Sequence, residues 1–145
     1  MWTAFSLTIP SSTWLIAGTA QVASERLLQE NPNLDGIFTP NESSTHGMLV
    51  ALRSTKRIGK VKFVGFDGSE ILIDALKRGQ LHGLVLQDPF DMGLHGVRRA
   101  LAYLEGKKPS RDTLHTNLQV ATPANVDNRG IKAMYAPDRK TYLNE

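Results

Sequence analysis

Short apolar runs alternate along the chain with segments in which apolar residues recur at helical spacing. Four of these runs predict buried strands, at residues 14–18, 34–39, 61–66 and 82–87. Gly, Asn, Asp or Pro residues flank the runs, as is typical of strands that end at turns. The intervening segments are long enough for helices of about ten residues. This order of strands and helices predicts repeated βαβ units.

Three predicted helices follow the first three strands. The first covers residues 21–30 and is stopped by an Asn-Pro-Asn sequence. Ser43 or Ser44 is a candidate N-cap for the second, Ser69 is a candidate for the third, and Gly79 closes the third. The apolar positions expected to be buried are Val22, Leu27 and Leu28, then Met48, Leu49 and Leu52, and finally Ile71, Leu72, Ala75 and Leu76.

Repeated βαβ units predict an α/β fold in which helices flank a parallel sheet in three layers. In such sheets, ligands bind near the carboxyl ends of the strands. Asn41, Asp67 and Gln87 each lie at or just beyond the end of a predicted strand. Their amide and carboxylate groups combine hydrogen-bond donors and acceptors, which a ring of sugar hydroxyls requires. The three residues are therefore candidate ligand-binding residues.

Composition is typical of a globular chain that forms one domain or part of a larger one. The 145 residues are 41% hydrophobic and 21% charged, with a formal net charge of +3. The basic residues are scattered, which does not favour a nucleic-acid patch. The chain has no cysteine, so disulfides and thiolate chemistry are excluded. The four histidines are far apart in the sequence, and their spacing predicts no metal site.

Catalytic and cofactor motifs are absent from the sequence. There is no nucleophile elbow, phosphate-binding loop or dinucleotide fingerprint. The sequence GFDG places an acid at a strand end, as a phosphate-accepting aspartate would be placed, but the other acids and the lysine of such a site are not in register. We therefore expect a protein that is not an enzyme and has no cofactor.

The first twenty residues make a poor secretory signal. No Lys or Arg precedes their apolar part, and Pro10 interrupts it. No window reaches the roughly 18 to 20 apolar residues that cross a bilayer.

Three stretches together carry a family resemblance. They are GIFTPNESSTHGMLVAL, KFVGFDGSEILIDALKRGQLHGLVLQDPFDMGLHGV and YLEGKKP. They resemble the carboxyl-terminal half of the type I periplasmic sugar-binding proteins, the ribose-binding-like receptors of ABC importers. The resemblance covers the chain from about Leu15 onward, so we divide the chain into an unmatched segment, 1–13, and a sugar-binding part, 14–145.

The resemblance implies a function and its partners. In the family, residues at the positions of Asn41, Asp67 and Gln87 hydrogen-bond a monosaccharide or related polyol held between two lobes. The closed receptor then docks on a membrane permease, in the periplasm or another extracytoplasmic space. The fold implied is one lobe, incomplete, of the periplasmic binding protein-like I fold.

The same resemblance implies that this chain is a truncated receptor. Residues 90–120 would pack on a missing first lobe. An apolar stripe formed by Met92, Val97, Leu101 and Leu104 would then be exposed, and we expect the isolated chain to self-associate or swap segments. Because one of the two lobes that enclose the ligand is missing, we expect very weak sugar binding or none.

Simpler interpretations remain for each candidate. Asn41 and Asp67 could be turn or cap residues, and Gln87 could be only a strand end. Glu42 suits a helix N-terminus better than a ligand site.

At the level of function, the effector-binding part of a LacI-type transcription regulator is the main alternative. A flavodoxin-like or response-regulator module would explain the alternation of strands and helices but not the extended carboxyl-terminal segment, residues 113–145.

Overall fold

A computed structural model of the chain, which describes residues 4–6, 17–107 and 113–137, contains one five-stranded sheet. The strands lie side by side in chain order. The first four are parallel, and the fifth is antiparallel to the fourth. In chain order the elements are β1 (Ala4–Ser6), α1 (Ala17–Glu30), β2 (Gly36–Phe38), α2 (Glu42–Ser54), β3 (Lys62–Phe66), α3 (Glu70–Lys77), β4 (Gly83–Gln87), α4 (Pro89–Leu104), β5 (Leu118–Ala121) and α5 (Arg129–Tyr135).

The predicted α/β architecture is confirmed, but no strand is predicted at β1, and the strands differ in two further ways. Residues 17 and 18, predicted to end a strand, instead begin α1, while residues 14–16 of that strand lie outside the described residues. The second difference is β5, whose antiparallel direction makes the sheet mixed.

The N-cap of α2 is Asn41 and not Ser43 or Ser44. Asn41 has an extended backbone (φ −157°), and its Oδ1 accepts a hydrogen bond of 2.9 Å from the Ser44 amide. An asparagine oxygen satisfies one of the free N–H groups of the first turn in this way. Ser69 occupies the N-cap position of α3, as predicted, but makes no side-chain cap hydrogen bond.

Burial follows the predicted faces except at two positions. Met48, Leu49 and Leu52 of α2 are buried, as are most of the predicted residues of α3. Val22 and Ile71, both predicted to be buried, are exposed, and Ile73 is buried in place of Ile71. The helix α3, which begins directly after Ser69, thus turns Ile71 outward. Apolar spacing alone does not determine this orientation.

The two faces of the sheet differ in burial. Phe63, Leu84 and Leu86 alternate with more exposed residues along β3 and β4 and belong to the core that α2, α3 and α5 cover. On the opposite face, Phe38 and Val120 are exposed. The buried core thus lies on one face of the sheet, among the flanking helices.

The segment 90–120 is divided between the sheet and an exposed helix. Its strand, β5, pairs with β4 of the same chain. Helix α4 has no buried residue, and the stripe of Met92, Val97, Leu101 and Leu104 is exposed. Packing of this segment on another lobe stays a prediction. Within the part of the chain that is described, no helix has both the length and the apolar character needed to span a membrane.

Candidate functional site

A cavity of about 400 Å³ opens at the carboxyl ends of β3 and β4. Its size is in the range that holds small organic ligands. The strand ends and the loops that follow them provide its polar lining, which is the location expected for a parallel α/β sheet. These polar residues are Glu42, Asp67, Ser69 and Gln87.

Asp67 is held in a strained conformation at the end of β3. Its φ of +69° lies in the left-handed region, which aspartate adopts more readily than most residues other than glycine but still at a cost. The Asp67 amide donates to the Val85 carbonyl at 2.9 Å, and Oδ2 accepts from the Glu42 amide at 3.2 Å. The corner is thus tied to β4 and to the first turn of α2, and this fixes the position of the carboxylate.

Burial raises the pKa of the Asp67 carboxyl above its usual value. The hydrogen bond from the Glu42 amide lowers this pKa, and the nearby Glu42 charge raises it, but loss of water around the carboxylate is the largest effect. A carboxylate that has already lost water gains most from new hydrogen-bond donors. Hydroxyl groups of a ligand could supply them.

Gly68 allows close packing directly behind the carboxylate. A Cβ atom added at Gly68 would lie 2.8 Å from Tyr135 Cβ and 2.9 Å from Leu86 Cδ2. Only glycine therefore lets α5 approach the loop after β3 this closely. Tyr135 is anchored in turn, because its hydroxyl donates to the Val126 carbonyl at 3.2 Å.

Gln87 is the last residue of β4 and lines the same cavity as Asp67. It pairs with Leu118 of β5. The next residue, Asp88, caps α4 by accepting a 3.0 Å hydrogen bond from the Asp91 amide, and Pro89 begins the helix. Gln87 is thus placed between a paired strand and a capped helix.

Asn41 does not line this cavity. Its Oδ1 accepts hydrogen bonds from the Ser44 amide at 2.9 Å and from Ser43 Oγ at 3.0 Å, so the oxygen serves the helix cap. The structure therefore brings Asp67 and Gln87 together in the cavity and places Asn41 beside it, next to Glu42. A role for Asn41 in binding a ligand stays a prediction.

Apolar residues of α4 and α5 complete the lining and were not identified from the sequence. Met92 belongs to α4, and Met134 and Tyr135 belong to α5. No local pattern marks the two α5 residues as part of a site. They reach it because β5 runs back beside β4, a pairing that apolar periodicity does not predict.

The chemistry of this lining suits a neutral, hydroxyl-rich ligand. It combines carboxylates, an amide and apolar side chains, and none of the described lining residues is basic. Carboxylate and amide oxygens accept from hydroxyl groups, while methionine and tyrosine side chains can contact C–H faces. Within the described ranges, no three His, Cys, Asp or Glu side chains are grouped so that they could hold a metal ion.

Comparison with known proteins links this geometry to one family. Residues 12–108 match the model of the periplasmic binding protein domain. A D-ribose/D-allose-binding protein of Pseudomonas aeruginosa is 30% identical over 106 residues, which are 73% of this chain and 33% of that protein.

Solved structures resemble the chain in fold as well. An ABC transporter solute-binding protein of Agrobacterium vitis with bound D-fucose superposes with a TM-score of 0.78 and 31% identity, over 88% of this chain and 43% of the other. A carbohydrate transporter solute-binding protein of Agrobacterium radiobacter, in complex with D-arabinose, gives a TM-score of 0.75 and 34% identity over 82% and 40%. The chain thus spans about a third of the curated relative and less than half of the structures it matches.

Proposed function

The chain belongs to the periplasmic binding protein family, and from this premise we propose that it forms one wall of a binding site for a neutral monosaccharide or related polyol. The observation that carries the proposal is the shared cavity of Asp67 and Gln87 at the carboxyl ends of β3 and β4. The ligands of similar proteins, such as D-ribose, D-allose and D-fucose, belong to the same chemical class and support it.

Each of the three candidate residues has a defined role in this proposal. Asp67 accepts hydrogen bonds from two neighbouring hydroxyls through its carboxylate, and Gln87 offers one acceptor and one donor to another. Asn41, at the edge of the cavity, donates through its amide nitrogen while its oxygen caps α2. Met92 and Tyr135 limit the cavity with apolar surface.

In the complete binding unit, a second lobe supplies the opposite wall. The two lobes close about a hinge and bury the sugar, and the closed form delivers it to the membrane permease of an ABC importer. This activity belongs outside the cytoplasmic membrane, as in the periplasmic relatives. Because affinity depends on both walls, the chain alone binds sugar with a dissociation constant weaker than about 1 mM.

The exposed apolar stripe of α4 is the surface for that second lobe. None of the residues of α4 is buried by the described chain, although Val97, Leu101 and Leu104 are large and apolar. Large exposed apolar surfaces favour association. In the absence of a second lobe, the stripe leads the chain to self-associate.

Ligand-observed saturation-transfer NMR tests the proposed sugar site. A panel of neutral monosaccharides is compared with glucose 6-phosphate on the wild-type chain and on variants. Asp67→Asn and Gln87→Ala remove a carboxylate and an amide from the cavity, whereas the control Asp74→Ala removes an exposed carboxylate from α3 that pairs with Arg78.

We expect signals from at least one neutral sugar, weaker signals with both cavity variants, and no change with the control. Signals of unchanged strength in both cavity variants would contradict the proposed site. A stronger signal from glucose 6-phosphate than from every neutral sugar would contradict the proposed ligand class.

A further inference from the structure

Two buried threonines lie directly beneath the site. Thr39, at the end of β2, and Thr45, in the first turns of α2, have 2% and 0% of their surfaces exposed. Their hydroxyl oxygens are 2.8 Å apart. Hydroxyl groups buried this completely are costly unless their hydrogen bonds are satisfied.

The Thr45 hydroxyl has partners on three segments of the chain. Its Oγ1 lies 2.7 Å from the Asn41 carbonyl oxygen, 3.0 Å from the Phe66 amide nitrogen and 2.8 Å from Thr39 Oγ1. A hydroxyl has one proton and two lone pairs. These three contacts are satisfied together when Thr45 donates to the Asn41 carbonyl and accepts from Phe66 and Thr39. The other carbonyl within reach, that of Phe66, is farther from the Thr45 hydroxyl, at 3.3 Å.

Two of these partners are backbone groups of the two corners that carry candidate ligand residues. Asn41 is itself a candidate, and Phe66 immediately precedes Asp67. A single side-chain oxygen therefore connects the corner after β2 with the corner after β3. The bond from the Glu42 amide to Asp67 Oδ2 is a second connection between the same corners, nearer the cavity.

Gly65 makes room for this arrangement. A Cβ atom at Gly65 would collide with the Thr45 Cγ2 methyl group and lie 2.9 Å from its Oγ1. The absence of that side chain lets Thr45 rest directly on β3. The hydroxyl can then reach the Phe66 amide in place of a backbone partner.

We propose that Thr45, assisted by Thr39, is a positioning residue that sets the distance between the Asn41 and Asp67 corners for ligand binding. The inference rests on the proposed sugar site and adds a residue that does not itself line the cavity. Valine at position 45 would fill nearly the same space but leave the Phe66 amide without its acceptor. Serine would keep the hydroxyl and lose only the methyl group.

Three variants of the 145-residue chain separate positioning from stability. Thr45→Val removes the hydroxyl, and Thr45→Ser retains it. Leu52→Val trims a buried side chain of the same helix that has no part in the hydroxyl network. For each variant, protein-observed NMR gives the dissociation constant of the sugar that binds the wild-type chain, and hydrogen exchange gives the protection of the Phe66 and Glu42 amides.

We expect Thr45→Val to weaken sugar binding about fivefold or more, and Thr45→Ser to stay within about twofold of the wild type. Leu52→Val should lower the melting temperature without changing the dissociation constant. Equal dissociation constants for Thr45→Val and Leu52→Val would overturn the inference. If Thr45→Val does not fold, Thr39→Val, which removes one of the three contacts, must weaken binding relative to Leu52→Val, and unchanged binding would overturn the inference equally.

Amide exchange keeps this test separate from the proposed function. If the wild-type chain binds no sugar, the proposed function fails, but exchange still reports on the corners. Thr45→Val should then accelerate exchange at Phe66 about tenfold relative to Leu52→Val, because this amide has lost its acceptor. The Glu42 amide keeps its acceptor, Asp67 Oδ2, so faster exchange there would report that the two corners have moved apart. Equal exchange rates in the two variants would overturn the positioning role.

Discussion

At the residue scale, the site depends on one aspartate that is unfavourable for folding. Asp67 combines a left-handed backbone with a partly buried carboxylate. Both features cost stability, and such costs are common where a side chain must be presented to a ligand. The hydrogen bonds to Val85 and from Glu42 hold the residue in place despite them.

Replacing this carboxylate by an amide should stabilise the chain at neutral pH. Burial raises the folded-state pKa of Asp67 above the usual value of 3.8. The protonated carboxyl therefore makes its full contribution to folding stability below pH 3.8, and this contribution is lost as the pH rises through the raised pKa. Asp67→Asn carries no charge, tolerates a positive φ and keeps an acceptor for the Glu42 amide.

Thermal melts across the acidic range test this expectation. Asp67→Asn should melt at a higher temperature than the wild type at neutral pH, and the difference should vanish below pH 3.8. A difference that does not depend on pH would mean that the charge of Asp67 is not its cause.

Sequence reasoning located two of the cavity residues but not their neighbours. Asp67 and Gln87 follow from the rule that strand ends carry sites, because each ends an apolar run. Asn41 obeys the same rule, yet its side-chain oxygen caps α2, because the free N–H groups of the first helical turn lie within its reach. Tyr135 depends on long-range packing against Gly68, which local spacing does not encode.

At the element scale, helices α1 and α2 pack unusually closely around a glycine. A Cβ atom at Gly47 would lie 2.7 Å from Ala20 Cβ and from the backbone of Gln21. The small residues therefore fix the distance between the two helices. Because α2 begins at the site, this distance also affects the position of its N-terminus.

Gly47→Ala should therefore destabilise the chain by about 1–3 kcal/mol, as expected for overpacking in a close interface. Gly130→Ala in α5 is the matched control, because nothing lies within 4 Å of its added Cβ. Alanine is the better helix former, so the control should be neutral or stabilised by up to about 1 kcal/mol. Chemical denaturation measures both, and equal effects would contradict the close helix contact.

Elements with a strong apolar periodicity could be predicted from the sequence, and features that depend on long-range strand pairing or packing could not. The two helices and three strands between residues 34 and 87 follow from apolar spacing and turn residues. The antiparallel direction of β5 follows from the path of the chain after α4, and the exposure of Ile71 follows from the way the chain enters α3. Both are tertiary outcomes that a local pattern does not contain.

At the scale of the whole molecule, substantial apolar surface remains uncovered by the described residues. It includes the stripe on α4 and the face of the sheet that carries Phe38 and Val120. A two-lobed binding unit would cover the stripe with its second lobe. The chain by itself should bury this surface by association.

Charged substitutions in the stripe should reduce self-association without unfolding the chain. In sedimentation experiments, Val97→Lys combined with Leu101→Lys should shift the chain toward monomer, because both residues are exposed and the added charges repel. Val22→Lys, at an equally exposed valine on α1, should leave association unchanged. A wild-type chain that is monomeric at all concentrations would contradict the expectation.

The most direct test of the sugar-binding account is a protein-observed NMR titration of the wild-type chain with unlabelled D-ribose and D-allose, to about 100 mM to allow for weak affinity. The account predicts saturable shifts that centre on the loop Asp67–Ser69, on Gln87 and on Tyr135, around one cavity. If neither these nor other neutral monosaccharides shift those signals, or if the shifts centre elsewhere on the chain, the site has been assigned wrongly.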